Sequence, residues 1–382
     1  MIHLQGVTKR YGDTLAVDEL TLDVAEGEVC VLIGPSGCGK TTTLRMINRL
    51  ITPTSGRIMI NDRDASELKA EELRRSLGYA IQSVGLFPHL DVAANISVVP
   101  RLLGWDKPRM RDRARELLEL VGLDPEQYMT KYPSQLSGGE AQRIGVARAL
   151  AADPPVLLMD EPFGAVDPLN RERLQGEFAR IQRELHKTVV FVTHDIDEAI
   201  RLADRIAIMR DGRLVQYDTP EAILDSPVDH FVRDFVGSDR ALKRLVRVPV
   251  SDVMDTDPPV ARRAATAEEM LAEVKRTRFV YLVDEDGRLT GWLDRAQLKG
   301  GCSVEDALSD ADPHQVAVAP DASLKEALSR MLGLGFRSIA VVESGGRLVG
   351  QVTLGSVEGA MTDSDDHQGA PVAPELDSGD LA

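Results

Sequence analysis

The apolar run VCVLI followed at once by GPSGCGKT, Gly34 to Thr41, constrains this chain of 382 residues more than any other stretch. The octapeptide fits G-x-x-x-x-G-K-[ST]. The run before it and TTTLRMINRL after it read as the strand and helix that a phosphate-binding loop needs on its two sides. Gly37 and Gly39 let backbone N–H groups converge on phosphate oxygens, and a helix N-terminus adds favourable partial charge. Lys40 is placed to reach the β- and γ-phosphates, and Thr41 to ligate Mg²⁺. Gly34, Pro35, Ser36, Cys38 and Thr42 complete the candidate contacts to a nucleotide. A tight glycine turn with a surface lysine would explain the octapeptide alone, but not its strand–loop–helix setting.

Residues 1–237 alternate strand-like runs (EVCVLIG, PVLLMDE, TVVFVTHD, RIAIMRDG) with amphipathic helical stretches, which predicts an α/β domain with a largely parallel sheet. At about 83–135 the pattern turns helical, as in RARELLELVGL, and reads as a helical subdomain inserted into that core. Asp160 and Glu161 end the run PVLLMDE. The first carboxylate is suited to hold Mg²⁺ and the second to polarise water as a base. His194 follows VVFVT and can donate to or accept from a γ-phosphate or the attacking water. Tyr11, in KRYGD, is a candidate to stack on adenine, with a half-buried strand aromatic as the plainer reading.

A second glycine pair stands in LSGGEAQR, with no lysine beside it. Ser137 followed by Glu140 spells a capping box before the helical run AQRIGVARALAA. The box leaves Gly138 and Gly139 unexplained, because each costs helix stability relative to Ala. Glycines in a first turn point to something that approaches the backbone closely, and a helix N-terminus attracts anions.

Composition narrows the function classes. A formal net charge of −16 argues against a nucleic-acid surface, which needs a basic face. Three scattered cysteines suit a reducing compartment. No apolar run approaches the ~18 residues of a spanning helix, and MIHLQGVTKRYGD has no signal-peptide core. Work at a membrane would therefore go through a partner. In Arg240–Arg263 six Arg or Lys residues face three Asp. Beyond this connector RFVYLVDEDGRLTGWL (Arg278–Leu293) aligns with RSIAVVESGGRLVGQV (Arg337–Val352) at an offset of 59, each copy reading strand, Gly turn, strand. The last 21 residues hold six carboxylates and no Lys or Arg, and read as a disordered acidic tail.

GPSGCGKT, the Gln82 of YAIQ, LSGGE, VLLMDE, GAVD ending in Asp167, and TH ending in His194 resemble, in this order, the ATP-binding-cassette (ABC) ATPases. The resemblance covers residues 1–237 and implies a P-loop NTPase core, with ATP and Mg²⁺ as its ligands. It also implies a head-to-tail homodimer with two ATPs sandwiched between subunits. By that resemblance Lys40, Thr41, Gln82, Asp160, Glu161 and His194 act on one ATP, with Gln82 also a metal ligand beside Thr41 and Asp160. Ser137, Gly138 and Gly139 close over the ATP of the opposite subunit, and Asp167 lies at the dimer interface. Many members have Gln where this chain has Glu140; the capping box tolerates either.

The segment SVGLFPHLDVAANISVVPRLLGW is similar to the permease-facing region of importers for quaternary-amine osmoprotectants such as glycine betaine, carnitine and choline. The C-terminal repeat resembles a tandem pair of cystathionine-β-synthase (CBS) modules, which that subfamily often carries. The implied organisation is an ABC domain at 1–237, a linker at 238–250, α+β CBS modules at 251–300 and 301–361, and the tail at 362–382. The implied setting is peripheral, on the cytoplasmic face of the cell membrane, with integral-membrane permease subunits and an extracytoplasmic solute-binding protein. Nucleotide-binding CBS modules often end in Thr/Ser-x-x-Asp. Here Asp294-Arg295-Ala296-Gln297 and Thr353-Leu354-Gly355-Ser356 both lack the final Asp. Three roles stay open for the pair: binding another ligand such as cyclic di-AMP, sensing ionic strength at an anionic membrane surface, or dimerisation alone. The alternatives to the whole reading are an importer ATPase for another solute and a soluble ABC ATPase working on nucleic acid or ribosomes. The second usually has paired cassettes or coiled-coil insertions, and neither is present.

Overall fold

The computed structural model describes residues 1–81, 85–164, 168–262, 279–294, 308–310 and 312–362. Two units separate along the chain, Met1–Ser238 and Asp239–Ala382. In the first, the strands are β1 (Ile2–Tyr11), β2 (Thr14–Val24), β3 (Val29–Ile33), β4 (Ser55–Ile60), β5 (Arg63–Asp64), β6 (Leu77–Ala80), β7 (Val156–Asp160), β8 (Thr188–Val192), β9 (Arg205–Arg210) and β10 (Arg213–Asp218).

β3, β7 and β8 are buried at every position, the mark of strands covered on both faces. They lie in a sheet ordered β10-β9-β3-β8-β7-β6, parallel except for the β9–β10 hairpin. Alternate residues feed opposite cores, as the pleat requires. Val29, Val31 and Ile33 join Leu157, Met159, Val189 and Phe191 in a core completed by Leu117, Ile144 and Phe178 from helices. Cys30 and Leu32 join Val156, Leu158, Val190 and Val192 in a second core, completed by Leu44, Met46 and Ile47.

That second core rests on an antiparallel sheet, β2-β1-β4-β5, which the reading of a largely parallel domain does not include. β1 and β2 alternate buried with partly or fully exposed positions, the pattern of a sheet with one wet face. The helical stretch contains helices Val92–Ile96, Lys107–Leu120 and Pro125–Tyr128, each started by an Asp cap (Asp91, Asp106, Asp124) that accepts a backbone N–H of the first turn.

The second unit repeats one motif. β11 (Val260–Arg262) runs parallel to β12 (Phe279–Val283), which pairs antiparallel with β13 (Leu289–Asp294), and β14 (Leu308–Asp310) closes that sheet. β15 (Ala317–Val318), β16 (Ser338–Val342) and β17 (Leu348–Thr353) repeat the parallel and antiparallel pairings. The register coincides at the sequence offset: Tyr281 faces Trp292 as Ala340 faces Gln351, and both hairpins carry a bulge one residue later than the same pair. The hairpin turns also bind each other: Leu289 N–H donates to Gly346 O at 2.9 Å and Leu348 N–H to Gly287 O at 3.0 Å. Gly287 and Gly346 hold φ of 79° and 82°, conformations that a side chain disfavours. Residues 295–297 and the acidic stretch from 363 onward lie outside the described residues.

Candidate nucleotide site

The site is built at the C-terminal ends of β3, β8 and β7, where an open α/β sheet leaves a crevice. The loop leaving β3 is forced tight by packing. A Cβ on Gly34 would stand 2.0 Å from Met209 O, and one on Gly39, at φ 104°, 2.5 Å from Ala16 O of β2. Cys38 N–H donates to Pro35 O at 3.3 Å to close the turn. Helix Lys40–Ile47 then begins with Gly39 at its N-cap and no side chain capping it, so its first N–H groups face the loop. Lys40 is 7% exposed, and its ammonium donates to Gly34 O at 2.6 Å and Pro35 O at 3.0 Å. It thus lies folded across the mouth of its own loop, where phosphate oxygens can replace those carbonyls. Cys38 sits 3.7 Å from the same ammonium, and burial pushes its thiol up.

Thr41 Oγ1 donates to Asp160 Oδ1 at 3.1 Å across 119 residues of sequence. Burial pushes the Asp160 carboxyl up; the Thr41 hydroxyl, then the Arg45 guanidinium and the Lys40 ammonium, favour its ionised form, while Glu161 opposes them. Arg45 was not among the residues read from sequence, although it lies four positions after Thr41 on one helical face. A hydroxyl and a carboxylate are hard oxygen donors suited to Mg²⁺, and two of them leave the remaining positions to phosphate and water. Among the described residues no three His, Cys, Asp or Glu side chains gather into a metal cluster.

Glu161 holds φ of 47°, uncommon away from glycine, and its N–H donates to Val192 O at 2.9 Å. This sharp turn brings its carboxylate within 3.4 Å of His194 Nδ1. His194 follows β8, and Thr193 before it donates its N–H to Leu32 O at 3.2 Å, tying the turn to β3. Tyr11 ends β1 with its ring exposed under the Lys9 ammonium at 4.9 Å, rather than half-buried. Gln82 and Asp167 lie outside the described residues. Ser36, Gly37 and Thr42 complete the loop and first helical turn, and no Cβ contact forces glycine at Gly37, whose φ is 83°.

LSGGE is a separate construction. Ser137 caps helix Gly138–Leu150: its Oγ accepts Glu140 N–H at 3.3 Å, and Glu140 Oε2 accepts Ser137 N–H at 2.7 Å. The Tyr128 hydroxyl donates to the other Glu140 oxygen at 2.5 Å, and with the Ser137 N–H it holds the Glu140 carboxyl below its ordinary range. Tyr128 was invisible to the motif, because helix packing and not spacing brings it there. A Cβ on Gly139 would meet nothing within 4 Å, so no packing among the described residues demands glycine. No hydrogen bond or ion pair among the described residues joins Ser137–Glu140 to the loop Gly34–Thr42. In the second unit Thr353 Oγ1 accepts Ser356 N–H at 3.1 Å and so caps helix Leu354–Thr362.

Comparison with known proteins matches residues 17–164 to the family described as ABC transporter, and 250–300 and 304–362 to the CBS domain. The chain is 46% identical over 361 residues to the osmoprotectant import ATP-binding protein OsmV of Salmonella typhimurium, covering 92% of this chain and 94% of that one. It is 44% identical over 369 residues to the glycine betaine/carnitine/choline transport ATP-binding protein OpuCA of Bacillus subtilis, covering 95% and 97%. A solved dimer of the ATP-binding cassette MJ0796, in a post-hydrolysis state with ADP and Pi, matches with a TM-score of 0.53 at 35% identity. That match covers 58% of this chain and 99% of the other.

The position of Cys38 gives a direct probe of the loop. Its carboxymethylation, followed on the loop peptide by mass spectrometry, is expected to be slower than that of an unfolded thiol and slower again with ATP present. Equal rates with and without ATP would show that this loop is not where nucleotide binds.

Proposed function

The chain belongs to the ATP-binding proteins of osmoprotectant-importing ABC transporters that carry tandem CBS domains, and we propose that it drives uptake of quaternary amines such as glycine betaine, carnitine or choline. It is an ATPase whose hydrolysis is coupled to transport. Permease subunits and an extracytoplasmic solute-binding protein complete the proposed assembly, with this chain peripheral on the cytoplasmic face. No helix among the described residues is long and apolar enough to cross a membrane.

One observation carries the catalytic reading: Lys40, Thr41, Asp160, Glu161 and His194 meet at one sheet edge, while Ser137, Gly138 and Gly139 stand apart with an uncovered helix start. Two copies arranged head to tail would let each supply what the other's site lacks. In each site the loop N–H groups and Lys40 grip the β- and γ-phosphates, and Tyr11 stacks on the adenine. Thr41 and Asp160, with Gln82, would hold Mg²⁺, which when bound offsets charge on the phosphate oxygens. Glu161 accepts a proton from the attacking water, and His194 holds the water and Glu161 in line. Ser137 and the glycine N–H groups of the opposite copy close over the γ-phosphate, and Asp167 lies between the copies.

The second unit, on this reading, regulates transport, with ionic strength or cyclic di-AMP as the signal. The connector's Lys243 is buried and paired with Asp239 at 2.9 Å, so it serves the fold of this unit and not a membrane surface.

Glu161→Gln in the full-length chain is expected to lower ATP turnover by about a hundredfold or more while ATP binding persists, and to accumulate a dimer in gel filtration. Turnover at the wild-type rate would remove Glu161 as the base. Gly138→Asp places a carboxylate against the partner's phosphate and is expected to abolish turnover while nucleotide affinity of the single chain stays within about twofold. Retained hydrolysis would rule out the two-copy site. A chain ending at Gly237, assembled with its permease, is expected to import glycine betaine without response to salt or to cyclic di-AMP. An intact response to both would show that the second unit is not the regulator.

A further inference from the structure

Glu198 is a buried carboxyl that the reading above leaves unused, 5% exposed on the seven-residue helix Ile196–Leu202. Burying an acid costs more than burying a leucine of similar volume unless its oxygens are satisfied. Here both neighbours are specific. Gln175 Nε2 donates to Glu198 Oε1 at 3.0 Å, and Gln175 is itself 4% exposed. The Thr193 hydroxyl is the second partner of the carboxyl, whose pKa burial raises.

One helical turn away a parallel contact forms. Arg171 Nη1 lies 3.8 Å from Asp195 Oδ2, so Arg171 and Gln175 on helix Pro168–Leu185 face Asp195 and Glu198 in register. Asp195 also caps its own helix through Asp197 N–H and Glu198 N–H, and its N–H donates to Thr193 Oγ1 at 3.1 Å. The residues on both sides of His194 are therefore held, while the imidazole between them is exposed and 3.4 Å from Glu161. An exposed ring has no packing of its own to fix it, so its position is inherited from Thr193 and Asp195.

We propose that Glu198 is a positioning residue for hydrolysis: bonded to Gln175 and Thr193, it fixes the turn that holds His194 against Glu161. This rests on the assignment of His194 to the reaction. A carboxyl serves better than an apolar side chain because hydrogen bonds specify one register between the two helices.

The test is a double-mutant cycle on the full-length chain, with radiolabelled ATP in steady-state assays long enough to register slow variants. Glu198→Leu is expected to lower kcat about tenfold with KM for ATP within about twofold, the effect of a misplaced group and not of lost binding. Glu198→Gln, whose carbonyl oxygen still accepts from Gln175 and whose amide can donate to Thr193 Oγ1 in place of accepting from it, is expected to restore most of the rate. In a His194→Ala background Glu198→Leu is expected to cost nothing further, because there is no imidazole left to position. The same fold-loss in both backgrounds, or a raised KM with kcat intact, would overturn the proposal. A His194→Ala chain with the wild-type kcat would instead overturn the assignment of His194, and this inference with it. Should Glu198→Leu fail to fold, Gln175→Leu removes the same hydrogen bond from the other side and must show the same pattern.

Discussion

The parallel pairing of β3 with β8, and of β8 with β7, is the constraint on which the rest of the first unit depends. It brings the ends of three strands, each buried at every position, to one edge. The hydrogen bond from Thr41 to Asp160 exists only because that pairing closes a gap of 119 residues. The same pairing lets Glu161 N–H reach Val192 O and Thr193 N–H reach Leu32 O, so the turns after β7 and β8 are stitched in sequence to their neighbours. The site is thus positioned by backbone ladders, and its side chains need only short reaches.

The second dependence is on close approach. Ala16 O of β2 stands where a side chain on position 39 would go, so the antiparallel sheet acts as a wall of the phosphate loop as well as a lid on the second core. Its buried face, shared with the second core, keeps this four-stranded sheet against the doubly covered parallel one. Close approach also separates the glycines of the phosphate loop from those of LSGGE. Gly34 and Gly39 are demanded by atoms of the chain itself, whereas Gly139 faces open space.

In the second unit the duplicated hairpins give one another their edges. Gly287 and Gly346 expose carbonyls that accept N–H groups from the opposite hairpin, and the core between them uses equivalent strands, with Tyr281 beside Ala340. A single copy would lack those two hydrogen bonds.

The local features were legible in the residues. GPSGCGKT announced a strand–loop–helix, Ser137 with Glu140 announced a capping box, and the 59-residue offset announced two hairpins of equal register, because each depends on neighbours a few residues away. The choice of Lys40, Thr41, Asp160, Glu161 and His194 also came from sequence, through spacing and resemblance. What spacing could not contain were the contacts made by folding distant segments together. Tyr128 on Glu140, Arg45 near Asp160, Gln175 on Glu198 and the antiparallel sheet against the loop are all of this kind. Sequence determined which groups can do the chemistry, since that is a property of residue type and local backbone. Only the tertiary structure decided what holds them, because a buried polar group takes whichever partner the packing of remote elements brings within about 3 Å.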